Sequence, residues 1–313
     1  MEMRVKPFLK GAASFVAPGL RTVHKSSSDD RFNAEWSYSI FLRHYSHIAL
    51  YLAESIPPVV AELGPGSCLG VGFCALLCGA KIYYALDFVD HTDTPRNLRV
   101  FNQLVQMFRE RRPVPGDETM FPTPVNSDVP VGLVLADDEV IWAIRDDLVN
   151  KRNQFIRVAV PWTNSSIPPR SVGWLWSHSV MEHIDEIERA WRCCAAWLAD
   201  DGIMTHNIDY NSHGLAKHWD GHWTINDFCW RIIRGRRPYL LNRLTHSAQL
   251  ALANSAGFEV VSEFIRTLSP GVPNSEPTRA PHSAMMPRDR QTAEAFVTLR
   301  RAGFARGVAE SCD

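Results

Sequence analysis

The chain has 313 residues, of which 45% are hydrophobic and 21% charged, and its 33 Lys and Arg balance 34 Asp and Glu to a net charge of −1. This length suits one large α/β domain with insertions, and the ordinary composition excludes a chain that is disordered throughout, a collagen-like chain or a coiled coil. The balanced charge argues against nucleic acid or an anionic membrane surface as the default partner.

The sequence also bears on compartment and redox state. It has no apolar run near the ~20 residues that span a bilayer, and its N-terminus lacks the apolar core of a secretory signal, so we expect a cytoplasmic protein. The seven cysteines include no C-x-x-C pair. This pattern disfavours a disulfide framework or a zinc cluster and predicts reduced, mostly buried thiols.

The N-terminal region is predicted to have two parts. Residues 1–32 are predicted to form a loose arm that ends in a polar linker over 25–30. Apolar residues at helical spacing predict a helix over 34–54, which Pro57 and Pro58 end.

Strand and helix patterns alternate after this helix. The predicted strands are 59–63, 81–88, 155–160, 172–176, 202–209, 258–264 and 293–300, and the predicted helices are 71–78, 94–112, 137–150, 185–198 and 245–255. Such alternation implies a mostly parallel sheet with helices on both faces. The last two strands lack a crossover helix between them, so we predict that they pair antiparallel at the sheet edge.

Two insertions interrupt this alternation, over 111–150 and 210–242. We therefore predict one catalytic domain over 56–305 and a short tail over 306–313. The insertions and the N-terminal region, 1–55, are expected to form a lid over the site, because long irregular segments are often functional.

The strongest functional signal is Glu62-Leu-Gly-Pro-Gly66, between a predicted strand and a predicted helix. Glycines there let the backbone approach a ligand, and a helix N-terminus offers free N–H groups. Asp87 ends the next strand, where an acid can accept both hydroxyls of an adenosine ribose. The pair predicts a nucleoside site; the simpler alternative is a tight turn followed by a helix-capping Asp.

The spacing around this turn distinguishes between cofactors. A dinucleotide pattern has its third glycine three residues after Gly66, where this chain has Leu69, with Gly70 one place later. A phosphate-binding loop would contain a lysine, and none is present. Glu62 would repel a pyrophosphate but suits a cation, which favours S-adenosylmethionine over NAD and leaves a dehydrogenase as the residual option.

At this point the chain resembles the class I S-adenosylmethionine-dependent methyltransferases. The resemblance covers residues 59 to 300, and the matching stretches are Val59–Gly70, Tyr84–Asp87, Trp176–Ile184, the run from helix 185–198 to Ile203, and Ala256–Val260. It implies a Rossmann-like sheet of seven strands, the last two antiparallel. More narrowly, Gly79–Asp87 with His213-Gly214 and Trp219–Trp223 is similar to methyltransferases of bacterial glycan-synthesis clusters.

The resemblance implies roles for seven cofactor-binding residues: Glu62, Gly64, Gly66, Ser67, Asp87, Phe88 and Ser177. The first four would line the methionine end of the cofactor, Asp87 would hold the ribose and Phe88 would lie beside the adenine. Ser177 and His178, just past the fourth strand, would face the methionine or the acceptor. The chain departs from the family at Val160-Pro161-Trp162, where an acid is common, and at Cys68, where a third glycine is common.

A second group of polar residues lies at the carboxyl ends of the fourth and fifth strands and in the insertion that follows. Methyl transfer to a hydroxyl requires a base, and a histidine held by a carboxylate suits that task. The candidates for catalysis are His206, Asp209, His213 and His178. We prefer His206 or His213 with Asp209; alternatively, these histidines only hydrogen-bond loop backbone.

The same region raises the question of a metal. Glu182 and His183 are adjacent, and some class I enzymes bind magnesium with such a pair and a distant histidine, but they carry a further acid where this chain has Ser179. We therefore expect no metal, with Glu182 and His183 as the weaker candidates for one and magnesium as the alternative.

The 210–242 insertion supplies the candidates for acceptor binding: Trp219, His222, Trp223 and Arg234. Aromatic faces stack on sugar rings and arginines grip phosphate, so a phosphorylated or nucleotide-linked sugar would satisfy both. Alternatively, the tryptophans pack the lid and the arginines are solvated.

The sequence thus predicts an S-adenosylmethionine-dependent methyltransferase that modifies a hydroxyl of a sugar, glycan or related small molecule. Transfer to nitrogen or carbon of a small metabolite, or an inactive cofactor-binding scaffold, are the alternatives. The acceptor is the expected partner, with no membrane span, and the oligomeric state is left open.

Overall fold

The computed structural model describes residues 3–16, 33–52, 56–113, 133–273, 278 and 285–303. The helices are α1 (Val5–Val16), α2 (Ala34–Ile48), α3 (Gly70–Leu77), α4 (Thr94–Arg109), α5 (Asp138–Asn150), α6 (Ile187–Trp197), α7 (Asp227–Arg234) and α8 (His246–Ser255). The strands are β1 (Val59–Leu63), β2 (Ile82–Leu86), β3 (Ile156–Ala159), β4 (Val172–His178), β5 (Leu198–Asp209), β6 (Phe258–Thr267) and β7 (Thr292–Arg301). The predicted linker 25–30, residues 114–132 of the first insertion and the tail 306–313 lie outside the described residues.

The seven strands form one sheet in the order β3-β2-β1-β4-β5-β7-β6. Strands β1 to β5 run parallel, and β7 pairs antiparallel with both β5 and β6. This confirms the predicted doubly wound sheet and its antiparallel last pair. Because β7 lies between β5 and β6, only β7 runs against the other strands.

Helices cover both faces of the sheet. Helices α2, α3, α4 and α5 pack on one face around Tyr83, Trp174 and Trp176, and α6 and α8 pack on the other around Trp191 and Trp197. The central strands are apolar on both faces, which is the composition that a doubly covered parallel sheet requires. The carboxyl ends of β1, β2, β4 and β5 therefore meet at one edge.

Several predicted boundaries are wrong, including those of one helix and two strands. The helix predicted over 34–54 ends at Ile48 and continues as a 3₁₀ turn. Strand β5 begins at Leu198 rather than 202, with an irregular register against β4. Strand β4 extends through Ser177 and His178, which pair with β5, so these two residues end the strand instead of following it.

The prediction of a loose arm is wrong for residues 5–16, which form α1. Helix α1 packs on α7 of the 210–242 insertion through small residues: Gly11 and Ser14 are its buried positions. A Cβ on Gly11 would lie 2.0 Å from the Ile232 carbonyl oxygen. Hydrophobic periodicity does not reveal a contact of this kind, because the two backbones approach each other closely without large apolar side chains between them.

Two further observations concern membrane-spanning helices and the cysteines. No helix within the described ranges is long and apolar enough to cross a membrane. The described cysteines are free thiols, of which Cys229 is partly exposed and the others are buried.

The contact between α1 and α7 leads to a prediction. Gly11→Ala should push the two helices apart, because its Cβ has no space against the α7 carbonyls, and overpacking of this kind costs about 1–3 kcal/mol. Hydrogen exchange in α7 should become faster than in the wild type. Lys10→Ala, on the exposed side of α1, is the control, and equal exchange in both variants would contradict the account.

Candidate active site

The turn between β1 and α3 contains two glycines in the left-handed region. Gly64 has φ +68° and Gly66 has φ +64°. A Cβ on Gly64 would lie 2.5 Å from the Val180 side chain, whereas a Cβ on Gly66 would have nothing within 4 Å. Gly64 therefore allows close contact with the segment after β4, and Gly66 borders open space that a ligand can enter.

Residues of α4 hold this turn from outside. The Asn97 side chain accepts the Leu69 amide hydrogen at 2.8 Å and donates to the Ser67 carbonyl at 3.2 Å. Arg96 donates to the Ser67 hydroxyl at 3.2 Å. Sequence reasoning missed Asn97; the available signal was a polar residue one helical turn before Phe101, on the face of this helix that the apolar spacing predicts to be buried.

Asp87 lies directly after β2 and connects the end of this strand to the glycine turn after β1. Its carboxylate accepts the amide hydrogens of Gly66 at 3.1 Å and Phe88 at 2.7 Å. Burial raises the pKa of Asp87, and these amide bonds act in the opposite direction. Each carboxylate oxygen still has acceptor capacity, which a pair of ribose hydroxyls could use.

Glu62 lies on β1 beneath the turn and is buried. It accepts the Tyr83 hydroxyl hydrogen at 2.6 Å. Burial raises the pKa of Glu62 to about 7, against the effect of the Tyr83 hydrogen bond. The carboxyl group therefore changes charge near neutral pH, and a nearby cation would favour its ionised form.

The remaining glycines of this region serve packing. A Cβ on Gly70 would lie 2.2 Å from the Ser37 hydroxyl of α2, and one on Gly72 would lie 2.0 Å from the Tyr83 ring. Gly70 thus brings α3 against α2. This explains why a glycine occurs one place later than the dinucleotide pattern requires.

An aromatic cluster borders the turn on the β2 side. Phe88 contacts Trp162 at a ring distance of 4.7 Å and stacks on Tyr239 at 5.3 Å with an interplanar angle of 25°. Tyr239 belongs to the 210–242 insertion, so the insertion reaches the place predicted for adenine. Sequence reasoning named Phe88 and Trp162 but missed Tyr239, whose position depends on the fold of the insertion.

Two of the predicted site residues, Ser177 on β4 and His206 on β5, lie inside the protein on the face of the sheet that α6 covers. The Ser177 hydroxyl and His206 Nδ1 are 2.8 Å apart, and neither side chain is exposed. Burial lowers the pKa of His206 to about 3. In this conformation His206 is a neutral core residue, and Ser177 hydrogen-bonds to it.

His178 projects to the opposite face, under α2. Its Nδ1 lies 3.4 Å from His44 Nε2, and the ring contacts Trp36. Burial, with a smaller contribution from Arg43, lowers the pKa of His178 to about 3. His178 is therefore neutral near physiological pH.

Asp209 and His213 form a pair at the carboxyl end of β5. Asp209 Oδ2 lies 3.2 Å from His213 Nε2, and both side chains are about a third exposed or less. Burial tends to raise the pKa of Asp209, but His213 and Asn211 outweigh it, so the pKa lies below its ordinary value. Asp209 and His213 are the one pair among the four catalytic candidates whose members contact each other and are also exposed to solvent.

Glu182 lies beside this pair, on the 3₁₀ turn Met181–His183 that follows β4. The carboxyl group is buried, and neither oxygen has a hydrogen-bond partner of normal geometry among the described residues, although the backbone of Glu182 and Asp209 is close. Burial, and then the charge of Asp209, raises the pKa of Glu182 well above its ordinary value. The donor atoms of Glu182, His183 and His213 lie within 4.8 Å of one another.

A small cavity adjoins the cluster. Its volume is about 10 Å³, and it is lined by residues of the β4 and β5 ends and of the insertion, among them Glu182, Asp209, His222 and Asn242. Asn242 also fixes the turn of Glu182, because its amide donates to the Glu182 carbonyl at 2.8 Å and its side chain donates to the Met181 carbonyl at 2.8 Å. Sequence reasoning missed Asn242.

The predicted acceptor residues mostly attach the insertion to the core. The buried Trp223 donates to the Arg243 carbonyl at 3.0 Å, and Trp219 donates to the Ser269 carbonyl at 3.0 Å. Arg234 forms an ion pair with Asp185. The Trp223 ring thus offers no free face in this conformation, and His222 is the member of this group that lines the cavity.

No protein-family model matches the sequence, and no curated protein matches it. Structural similarity is found, at low sequence identity. An S-adenosylmethionine-dependent methyltransferase from Mesorhizobium loti is 14% identical, with a TM-score of 0.39 over 86% of this chain and 98% of its own. Geranyl diphosphate C-methyltransferase from Streptomyces coelicolor is 9% identical, with a TM-score of 0.43 over 85% of this chain and 79% of its own.

The chain has the class I methyltransferase fold. The cyclase SpnF is also similar, at 12% identity with a TM-score of 0.40 over 82% of this chain and 78% of its own. One scaffold can host several reactions, so likeness at this level concerns the fold alone.

The burial of His206 leads to a prediction about acid stability. The folded state holds His206 at a pKa of about 3 instead of 6.5, so the unfolded state takes up the proton first and stability falls as the pH drops through this window. Between about pH 7 and pH 4 the protonation of His206 in the unfolded state should lower the free energy of unfolding of the wild type by about 3 kcal/mol. His206→Gln should lack this part of the decrease. Chemical denaturation at both pH values tests this. His218→Gln, at an exposed position, is the control, and unchanged acid sensitivity in His206→Gln would refute the assignment.

Proposed function

We propose that the chain is an S-adenosylmethionine-dependent methyltransferase. The observation that carries the proposal is the contact of 3.1 Å between the Asp87 carboxylate and the Gly66 amide. It brings an acid at the end of β2 against a glycine turn that opens onto free space. An adenosine ligand needs both features, the acid for its ribose and the glycine for close approach of the backbone.

The charge of this site supports a cationic cofactor. Glu62 and Asp87 are both acidic, and the pKa of Glu62 lies near neutrality at about 7. An ammonium or sulfonium group would stabilise the ionised carboxylates, whereas a pyrophosphate would be repelled by them. This is the physical reason to prefer S-adenosylmethionine over a dinucleotide.

Each part of the cofactor would have its own residues. Glu62, Gly64, Gly66 and Ser67 would hold the methionine part, Asp87 the ribose, and Phe88 with Tyr239 the adenine. Bound S-adenosylmethionine supplies a methyl group on a positively charged sulfur. The Ser177 hydroxyl is engaged by His206, so we leave Ser177 out of this set.

We further propose that the acceptor is a hydroxyl of a sugar, glycan or related small molecule. The support is the Asp209–His213 pair at the carboxyl end of β5, where open α/β sheets bind ligands. A hydroxyl must lose its proton as the new C–O bond forms, and this pair can accept it. His206 is fully buried on one face of the sheet, and His178 is partly exposed on the other face, where it contacts His44 and Trp36.

The cofactor proposal is tested by Asp87→Asn. Asparagine keeps the shape of the side chain but loses the charge and one acceptor oxygen, so S-adenosylhomocysteine should bind at least about tenfold more weakly. Calorimetric titration measures this, with Asp138→Asn, an exposed acid on α5, as the matched control and NAD as the competing ligand. Binding of NAD, or equal binding to Asp87→Asn and wild type, would refute the cofactor assignment.

The acceptor proposal is tested by Asp209→Asn. With labelled S-adenosylmethionine and a panel of sugars, nucleotide sugars and glycans, we expect kcat to fall about 10²- to 10⁴-fold, as for loss of general-base assistance. Binding of S-adenosylhomocysteine should not change. Transfer of the label to nitrogen or carbon, with kcat unaffected by Asp209→Asn, would instead favour the other acceptor class.

A further inference from the structure

The cluster formed by Glu182, His183 and His213 has the composition of a metal site. One carboxylate and two imidazoles come together from two separate segments, the turn after β4 and the turn after β5. Their donor atoms all lie within 4.8 Å of one another, and it is the one such group found in the part of the chain that the structure describes. Ligand atoms at about 2.0–2.2 Å from a common ion lie no more than about 4.4 Å apart. Small side-chain rotations would therefore bring all three donor atoms within bonding distance of one ion.

A second observation points to a ligand at the same place. Glu182 is 3% exposed, and neither of its carboxylate oxygens has a normal hydrogen-bond partner among the described residues. A buried carboxyl group without partners is costly, and a positive charge is what would compensate it. Asp209 adds a second acid beside it, so the local charge without a cation is unfavourable.

The surroundings hold the cluster in position. Asn242 binds three backbone carbonyls of the turn that contains Glu182 and His183, those of Met181, Glu182 and Ile184. Asp209 contacts one ring nitrogen of His213 at 3.2 Å. A carboxylate on one nitrogen orients the ring and leaves the other nitrogen for a metal, as is common for metal-bound histidines.

We infer that Glu182, His183 and His213 bind a divalent first-row transition cation. Two imidazoles favour this class, from Mn²⁺ to Zn²⁺, over Mg²⁺, which prefers oxygen ligands. Three protein ligands leave coordination positions open, and the cavity beside Glu182 offers space for one oxygen atom of a ligand. This goes beyond the sequence-based expectation of no metal, because neither His213 nor the burial of Glu182 was part of that expectation.

The metal site deepens the proposed function, and the role given to the cation rests on that function. A hydroxyl bound to a divalent cation loses its proton more readily than a free one. A weak base such as the Asp209–His213 pair would then be sufficient to accept the proton of the hydroxyl. The cation would also hold the acceptor oxygen in place for attack on the methyl group.

The test is a titration of the full-length, chelator-treated chain with Mn²⁺, with free Mn²⁺ measured by electron paramagnetic resonance. We expect one Mn²⁺ per chain, displaced by an equal concentration of Zn²⁺ but not of Mg²⁺. Glu182→Gln and His213→Asn should each weaken Mn²⁺ binding at least tenfold. The matched controls Glu186→Gln and His218→Asn, at exposed positions nearby in sequence, should stay within twofold of wild type.

Folding of the variants is checked in the same samples by S-adenosylhomocysteine binding. His213 has φ +48°, and asparagine tolerates this left-handed region better than most residues, so His213→Asn should fold even if Glu182→Gln does not. Failure of the wild-type chain to bind Mn²⁺, or equal binding by wild type and His213→Asn, would overturn the metal site. If S-adenosylhomocysteine binds but Mn²⁺ does not, the metal inference alone is wrong; if only Mn²⁺ binds, the cofactor proposal is wrong and the metal site stands.

Discussion

The concentration of carboxyl groups at one edge of the sheet constrains the whole site. Glu62, Asp87, Glu182 and Asp209 lie at or just after the carboxyl ends of β1, β2, β4 and β5, which are neighbours in the sheet. Burial raises the pKa of the first three, and Asp209, which His213 and Asn211 support, is the exception. Within each of two pairs, Glu62 with Asp87 and Glu182 with Asp209, the charge of one acid disfavours ionisation of the other, and a nearby cation would favour the ionised forms.

This constraint accounts for the two ligands that we propose. A sulfonium and an ammonium would lie near Glu62 and Asp87, and a divalent cation would lie near Glu182 and Asp209. Each would compensate a charge that the protein itself leaves unpaired or only partly paired. The surrounding elements then serve mainly to hold these acids in place, with Asn97 on the glycine turn and Asn242 on the turn after β4.

The sheet and the glycine turn could be predicted from the sequence because their signals are local. Strand–helix alternation, the glycines of 62–66 and an acid at 87 each follow from a short stretch of chain, and the structure has the predicted sheet with Asp87 against Gly66. The pairing of Ser177 with His206 inside the core could not be predicted, because it depends on the register of β4 against β5 and on which face each residue occupies.

The positions of the N-terminal helix and of the 210–242 insertion depend on contacts between distant segments. Helix α1 joins α7 through Gly11, which no apolar pattern signals, and Tyr239 reaches Phe88 only because the insertion folds back over the β2 end. The histidines of the insertion likewise separate into different environments: His222 is buried beside the cavity, whereas His213 reaches solvent next to Asp209. Sequence spacing alone does not distinguish such environments.

The most direct test of the central claim is a crystal structure of the chain with S-adenosylhomocysteine bound. We expect both ribose hydroxyls to contact the Asp87 carboxylate, with the amino group toward Glu62 and the adenine beside the stacked rings of Phe88 and Tyr239. A nucleoside bound elsewhere, or bound without contact to Asp87, would contradict it.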